Sequence, residues 1–288
     1  GSIDSDVTDG SVTDPDDAGS EDSVFNFVNS AFQFYVGGSS SDDIGVQIAG
    51  KSSAVAPGEQ TLTLKAVRTN SDTGECEAAL QNTTTSVDIA YECNNPTTCS
   101  GSNLLSFSAD TTATVRRNDN GDDPLLYTSV DMEFDGSGFA PFSFNYSDAG
   151  QITLHAKKTV SASAPDPEYT LTGSSNAFVT KPFGFDLDFS NARAADWLDG
   201  GTLDGSASDT SYSADESGSV YIDAGDNFSM QITAVGWASA DDANSDGQPD
   251  TGANLSDNSA LNNFGRETAG SDLSISHSLN DPSSGSAG

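Results

Sequence analysis

Apolar and polar residues alternate along much of the chain, which is the pattern of β-strands with one buried face. The clearest apolar rows are Phe32 and Phe34; Val87, Ile89 and Tyr91; Val130, Met132 and Phe134; Phe142 and Phe144; Ile152 and Leu154; and Phe183, Phe185, Leu187 and Phe189. Clusters of Gly, Asn, Asp and Ser separate these rows, as turns do. The pattern therefore predicts an all-β fold of antiparallel, immunoglobulin-like β-sandwiches.

The alternation falls into two blocks, which predicts two β-sandwich domains in tandem. We expect the first over residues 23–176 and the second over residues 177–280. Residues 1–22 are acidic and contain almost no large apolar side chain, so they predict a flexible acidic leader. Residues 281–288 are rich in Pro, Ser and Gly and predict a flexible tail.

The composition excludes two classes of partner. Ten Lys and Arg residues stand against 44 Asp and Glu residues, which gives a formal net charge of −34. Nucleic acids and anionic membrane surfaces attract positive charge, so neither is an expected partner. The sequence contains no apolar run of membrane-spanning length, and we expect no membrane insertion of this chain.

Three cysteines allow one disulfide and leave one thiol over. Cys93 and Cys99 bracket a turn-rich stretch of five residues, and this spacing predicts a local disulfide in an exported protein. Cys76 is then the odd cysteine. It is either free, or paired with a cysteine elsewhere, or the replacement for one of the two partners.

The segment Asp241–Asp250 has the spacing of a calcium-binding loop. Gly247 stands at the sixth position, where such a loop turns sharply. Oxygen ligands fall at alternate positions of this loop, and the candidate metal ligands are Asp242, Asn244, Asp246, Gln248 through its carbonyl, and Asp250.

The loop departs from the calcium pattern at its twelfth position, where Ala253 replaces a bidentate Glu. A calcium ion held here would therefore be held weakly, with water or another carboxylate completing its shell. The alternative interpretation is an acidic loop with an Asp-Gly turn and no ion, because such matches arise easily in so acidic a chain.

Catalytic motifs are scarce, and we expect no enzyme. The two histidines, His155 and His277, both fit outward-facing strand positions. No nucleophile elbow of the Gly-x-Ser-x-Gly type stands between a strand and a helix. Neither a Ser/His/Asp triad nor a carboxylate pair is excluded, since serines and acidic residues are so numerous.

Several ordered stretches resemble one known family. They are Leu64–Thr69, Gly74–Cys76, Tyr91–Pro96, Phe144–Ile152, Phe178–Phe185, Trp237–Asp250, Leu255–Asn258 and Asn263–Glu267. Together they resemble the MshQ-like proteins, large accessory proteins encoded with mannose-sensitive haemagglutinin (MSHA) type IV pili. The resemblance covers most of residues 30–280 and implies an extracellular, pilus-linked, multidomain β protein without transferable catalytic residues.

These observations predict a non-catalytic structural or adhesive module of a bacterial, pilus-associated surface protein, located outside the cell. The expected partners are other pilus or surface-protein domains and a glycan or an abiotic surface. One alternative is a self-assembling filament subunit, in which residues 1–22 and exposed sheet edges exchange strands between copies. A second alternative is a carbohydrate-active enzyme, which would need paired carboxylates in a cleft beside aromatic rings.

Overall fold

The computed structural model describes residues 30–70, 73–101, 104–163, 168–188, 230–270 and 273–275. The predicted leader, the predicted tail and residues 189–229 of the predicted second sandwich lie outside the described residues. In chain order the strands are β1 (Ser30–Val36), β2 (Gln47–Ile48), β3 (Leu62–Thr69), β4 (Cys76–Ala78), β5 (Thr83–Asn95), β6 (Leu105–Ser108), β7 (Thr112–Val115), β8 (Arg117–Asp119), β9 (Thr128–Phe134), β10 (Phe139–Tyr146), β11 (Gly150–Val160), β12 (Tyr169–Ser174), β13 (Phe178–Lys181), β14 (Gly184–Asp188) and β15 (Gln231–Val235).

Two sheets form the first sandwich. Sheet A has the order β1-β3-β10-β6-β7, with β4 beside β3, and sheet B has the order β2-β13-β11-β5-β8, with β12 on β11 and β9 on β5. Pairing is antiparallel except between β13 and β2 and between β5 and β8. The all-β prediction is therefore confirmed. Among the described residues, no helix has the length and apolar character of a membrane span.

The alternating rows predicted over residues 32–154 form the core between the two sheets. The predicted row that starts at Phe183 does not: Phe183 is buried, but Phe185 and Leu187 are 36% and 50% exposed, and Phe189 lies outside the described residues. Phe32 and Phe34 are buried on β1, as are Val130, Met132 and Phe134 on β9. Aromatic rings meet across the sheets: the ring centroids of Tyr91 and Tyr146 are 5.8 Å apart, those of Phe144 and Phe178 5.2 Å, and those of Phe32 and Phe134 6.4 Å. Each such pair adds about 0.5–1.5 kcal/mol beyond the area it buries. Aromatic contacts thus join the two sheets.

Glycine allows the two sheets to approach each other along one edge. Ser30 Oγ at the start of β1 donates to the carbonyl oxygen of Thr170 on β12 over 3.0 Å. A Cβ atom at Gly173 would lie 2.1 Å from the carbonyl oxygen of Phe32, which is far inside van der Waals contact. Only glycine therefore allows β12 to lie against the backbone of β1.

The opposite edges of the sheets meet between β7 and β9. The Thr111 N–H donates to the carbonyl oxygen of Asp131 over 3.3 Å, and the Asp131 N–H donates to Thr111 Oγ1 over 3.0 Å. The Arg116 N–H reaches Thr128 Oγ1 at 3.0 Å. At both seams, between β1 and β12 and between β7 and β9, backbone groups of edge strands have a partner inside the molecule. Unpaired strand edges are the usual route to association between copies.

Strand β13 extends the sheet of the first sandwich beyond residue 176. Its residues pair with β11 and, in parallel, with β2. The chain then enters a smaller unit, in which β14 pairs with β15. Two short 3-10 turns follow, at Ser239–Asp241 and Leu255–Asp257.

Candidate functional site

The predicted calcium loop lies at the junction between β15 and the first sandwich. The Trp237 N–H donates to the carbonyl oxygen of Ala49 over 2.8 Å and so anchors the start of the loop. Gly247 turns the loop with φ +75°, and a Cβ atom there would lie 2.8 Å from Ile48 Cδ1 and 2.9 Å from Pro57 Cγ. The glycine is therefore required both by the turn and by the close approach to residues 46–58.

The Asp242 carboxylate holds the loop together from within. It is 3% exposed and accepts hydrogen bonds from Trp237 Nε1 at 2.8 Å, from the Asp246 N–H at 2.9 Å and from the Gly247 N–H at 3.2 Å. A buried carboxylate needs such donors, because water no longer solvates its charge. Its two oxygens are thus engaged by N–H groups of the protein.

Asn244, Asp246 and Asp250 also accept hydrogen bonds from backbone N–H groups, and Gln248 takes part as a donor through its N–H. Asn244 Oδ1 accepts from the Asp246 N–H at 2.9 Å, Asp246 Oδ1 accepts from the Gln248 N–H at 2.9 Å, and Asp250 Oδ2 accepts from the Ala243 N–H at 2.8 Å. The first two are the local turns that Asn and Asp favour, and the third closes the loop between its two ends.

The structure thus brings the predicted loop residues into one hydrogen-bonded loop. In the part of the chain that the structure describes, no group of three or more His, Cys, Asp or Glu side chains is placed to hold a metal ion. Calcium binding by this loop stays a prediction.

A cavity of about 340 Å³ is lined jointly by the acidic loop and by residues 46–58, and its lining includes Lys51, Lys181 and Asp246. The Lys51 side chain is buried, and its Nζ donates to the carbonyl oxygens of Val55 and Pro57. Burial lowers the pKa of Lys51, and the negative charges of Asp242 and Glu59 oppose that shift. Lys51 thus closes the 51–57 turn against the acidic loop.

A second set of contacts fastens residues 262–268 to the sandwich. Asp148, between β10 and β11, is 1% exposed and accepts from the N–H groups of Ala149 at 2.8 Å, Asn262 at 3.2 Å and Asn263 at 3.1 Å. Burial raises the pKa of Asp148, although these donors act in the opposite direction. Two donors come from more than a hundred residues further along the chain, so this carboxylate joins distant segments.

The loop after β5 completes this connection. The Ser100 N–H donates to Asn263 Oδ1 over 2.5 Å, and Arg266 also contacts the Ser100 hydroxyl. Asn95 exchanges two hydrogen bonds with the backbone of Thr268, at 2.7 and 3.2 Å. We call these contacts of Asp148, Asn95 and Ser100 with residues 262–268 the polar joint.

A disulfide supports the polar joint. The structure links Cys93 to Cys99, the pair predicted from the sequence, with Cα atoms 5.9 Å apart. Both cysteines are buried, and the loop between them carries Asn95. Cys76 is a free, exposed cysteine on the short strand β4.

A chain of hydrogen bonds on the outer face of sheet B was not found from the sequence. His155 Nδ1 lies 2.9 Å from Ser174 Oγ, and His155 Nε2 lies 3.1 Å from Glu92 Oε2. The Gly121 N–H donates to the other Glu92 oxygen over 2.6 Å. The residues come from three neighbouring strands, so only strand register reveals that they meet. The outward position of His155 was the one available signal.

Comparison with known protein families gives two matches. Residues 12–174 match a family model described as "Domain of unknown function (DUF6701), first Ig-like domain", and residues 181–288 match one described as "DUF6701, second domain". Neither the curated proteins nor the solved structures contain a match. The first match spans more than half of the chain and agrees with the sandwich described above, and the chain belongs to the DUF6701 family, with an Ig-like first domain followed by that family's second domain.

Proposed function

We propose that this chain is a non-catalytic structural and adhesive module of a bacterial, pilus-associated surface protein. The observation that carries the proposal is the polar joint. The buried Asp148 carboxylate, with the more exposed contacts of Asn95 and Ser100, fixes residues 262–268 to the Ig-like sandwich. A buried charged acceptor holds its donors more firmly than an exposed one. A β-sandwich with a stiff connection to the segment after it can transmit shape and load along a surface protein.

Two features support a location outside the cell. The Cys93–Cys99 disulfide is of a kind that persists in oxidising compartments such as the periplasm and the cell surface. The net charge of −34 keeps the chain apart from nucleic acids and anionic lipid and keeps it soluble. The association with a pilus rests on the resemblance to MshQ-like proteins. The stretches of this chain that carry the resemblance include residues of strands β3, β5 and β10.

The test uses the bacterium that encodes the chain. We expect deletion of the parent gene to reduce surface attachment, and we expect re-expression of the wild-type gene to restore it. Antibody binding to intact cells would show whether the chain is displayed outside. Normal attachment and normal pilus display in the deletion strain would overturn the proposal.

An Asp148→Ala variant of the parent gene tests the role of the polar joint. We expect it to be displayed but to restore attachment only in part, because Asp148 ties the joint together. Asp131→Ala, which changes an exposed carboxylate on β9, is the matched control. Full attachment by the Asp148→Ala strain would contradict a mechanical role for the joint.

One observation favours a second candidate, a hydrolase. The hydrogen bonds from Ser174 to His155 and from His155 to Glu92 line up a hydroxyl, a base and a carboxylate that orients the base. In such a reaction Ser174 Oγ would attack an ester carbonyl, His155 would take the hydroxyl proton and pass it to the leaving alcohol, and water would release the acyl group. Labelling of purified protein with a fluorophosphonate would distinguish the candidates: a label lost in Ser174→Ala supports a hydrolase, and no label removes it.

The filament alternative depends on strand exchange at open edges. The seams between β1 and β12 and between β7 and β9 already give several edge groups internal partners. We therefore favour a monomeric module over a filament subunit. Sedimentation at high protein concentration, with and without calcium, is the test, and concentration-dependent polymers would restore the filament hypothesis.

A further inference from the structure

The outer face of sheet A carries an aromatic cluster at positions where a solvated sheet face is usually polar. Tyr35 on β1 and Phe139 on β10 have ring centroids 5.0 Å apart in an edge-to-face arrangement. Lys65 on β3 lies between their strands, with its Nζ 4.6 Å from the Phe139 centroid and 5.8 Å from that of Tyr35. The rings and the lysine stem form one half-exposed apolar surface.

A groove of about 780 Å³ begins at Phe139 and extends from this face to the end of β9 in sheet B, with Tyr35 beside the groove and not in its lining. Its floor continues over Pro141, which pairs with Thr63 on β3, and over Ser143, which pairs with Ser108 on β6. This volume falls within the range of about 300–1,000 Å³ that small-ligand sites occupy. Apolar and hydroxyl-bearing residues therefore alternate along one continuous groove.

Carboxylates line the groove. Asp110, Glu133 and Asp135 are all exposed there. The N–H groups of Phe139 and Ser137 hold the pKa of Asp135 below its usual range, so this group is ionised at neutral pH. Carboxylates accept hydrogen bonds from hydroxyl groups and repel anions.

We propose that this groove binds a neutral glycan, with a sugar ring against Phe139 and Tyr35 and its hydroxyl groups hydrogen-bonded to the groove carboxylates and serines. A sugar has an apolar C–H face that packs on an aromatic ring and a rim of hydroxyl donors that suits carboxylate acceptors. The negative lining disfavours sulfated and carboxylated polysaccharides. The inference rests on the proposed adhesive function and names the class of its ligand.

The groove and the polar joint share no residue, which makes the two separable by mutation. The experiment is affinity electrophoresis of the purified chain through gels that contain a neutral polysaccharide: galactomannan, mixed-linkage β-glucan or soluble glycol chitin. Gels with alginate or heparin provide the anionic comparison. We expect retardation by at least one neutral polysaccharide, and at least a fivefold weaker retardation for Phe139→Ser and for Tyr35→Ser.

Leu126→Ser is the matched control, because it removes another exposed apolar side chain, 51% exposed, outside the groove. It should migrate as the wild type does. Thermal unfolding of each variant shows whether the sandwich is intact. If a variant does not fold, NMR of the wild-type protein replaces it. An oligosaccharide of the polysaccharide that retards the chain is added, and the chemical shifts that change should cluster on β1, β3 and β10.

Three results would overturn the inference: no retardation in any neutral gel, equal retardation of folded groove variants and wild type, or retardation only by alginate or heparin. Failure here leaves the joint experiment untouched, since Asp148→Ala does not alter the groove. Conversely, the purified chain could bind glycan while antibodies find no chain on intact cells. That pair of results would count against the proposed function and leave the glycan inference standing.

Discussion

The Ig-like sandwich and the segment 230–270 are held by different kinds of interaction. The sandwich buries a continuous core of aromatic and aliphatic side chains between its sheets. The later segment shares only a small apolar cluster with the sandwich, in which its Ala234 and Leu261 meet Ala49 and Ala149, and it is otherwise held by the polar joint and the acidic loop. The hydrophobic effect is non-directional, whereas a buried hydrogen bond needs its own partner. The sandwich should therefore tolerate conservative changes that the later segment does not.

The largest effect is expected from a substitution at the seam between β1 and β12. Gly173→Val places side-chain atoms where the Phe32 carbonyl stands, so β12 cannot lie against β1. We expect a loss of about 4 kcal/mol in unfolding free energy, or no folded protein. Urea unfolding measures it. Thr172→Val, on the exposed face of the same strand, should remain within about 0.5 kcal/mol of the wild type.

Asp148→Ala should separate the two regions. It leaves three backbone N–H groups without their acceptor, and we expect a loss of about 3 kcal/mol that falls mainly on the later segment. Hydrogen exchange at the Asn262 and Asn263 amides should accelerate, while exchange within β5 and β11 should change little. Uniform acceleration over both regions would show that they unfold as one unit.

Removing the disulfide should weaken the joint from the sandwich side. Replacing Cys93 and Cys99 by Ser frees a loop whose closure is worth about 2 kcal/mol. The midpoint of thermal unfolding should fall accordingly. Cys76→Ser, which removes the exposed free thiol, is the matched control and should leave the midpoint unchanged. A fall of equal size in Cys76→Ser would mean that this thiol is also structural.

Calcium binding is a further test of how the acidic loop is stabilised. If the loop binds the ion weakly as predicted, calcium at ten times its dissociation constant raises the unfolding free energy by about 1.4 kcal/mol. We expect the rise to vanish in Asp246→Ala and to persist in Asp257→Ala, an exposed carboxylate in a nearby 3-10 turn. Calorimetry with calcium and with chelator measures it. An identical rise in both variants would place the ion elsewhere, and no rise would leave a loop organised only by its own hydrogen bonds.

The smallest expected effect is a difference in pH dependence. Burial raises the pKa of Asp148 above its ordinary value of 3.8, so the folded protein binds that proton more readily than the unfolded chain. The contribution of Asp148 to stability therefore grows as pH falls through the folded pKa. Between pH 7 and pH 4, the wild type should gain stability relative to Asp148→Asn. Parallel stability curves for the two proteins would contradict the shift.

The sequence predicts the sandwich better than the later segment because periodicity reports burial locally. Phe32, Phe34 and Met132 could be assigned to the core from their neighbours alone. Periodicity does not say which strands pair, so the membership of β13 in sheet B required the structure.

The sites depend on contacts that no local pattern encodes. Asp148 and Asn263 are 115 residues apart in the chain. The residues next to Asp148 predict only an ordinary turn there. The spacing of Asp242, Asn244 and Asp246 predicts a turn-rich acidic loop. It cannot say whether their oxygens face a cation or the backbone, because both arrangements need the same residues at the same intervals.

The two seams have a consequence for crowding. Proteins displayed on a cell lie side by side at high local density, where one exposed strand edge is enough to nucleate a sheet that runs from chain to chain. Here Thr111 and Thr128 hold edge groups at one seam, and Gly173 lets the backbones meet at the other. If the chain is displayed on a cell, as we propose, these two edges would offer fewer open backbone groups to a neighbouring copy than bare strand edges do.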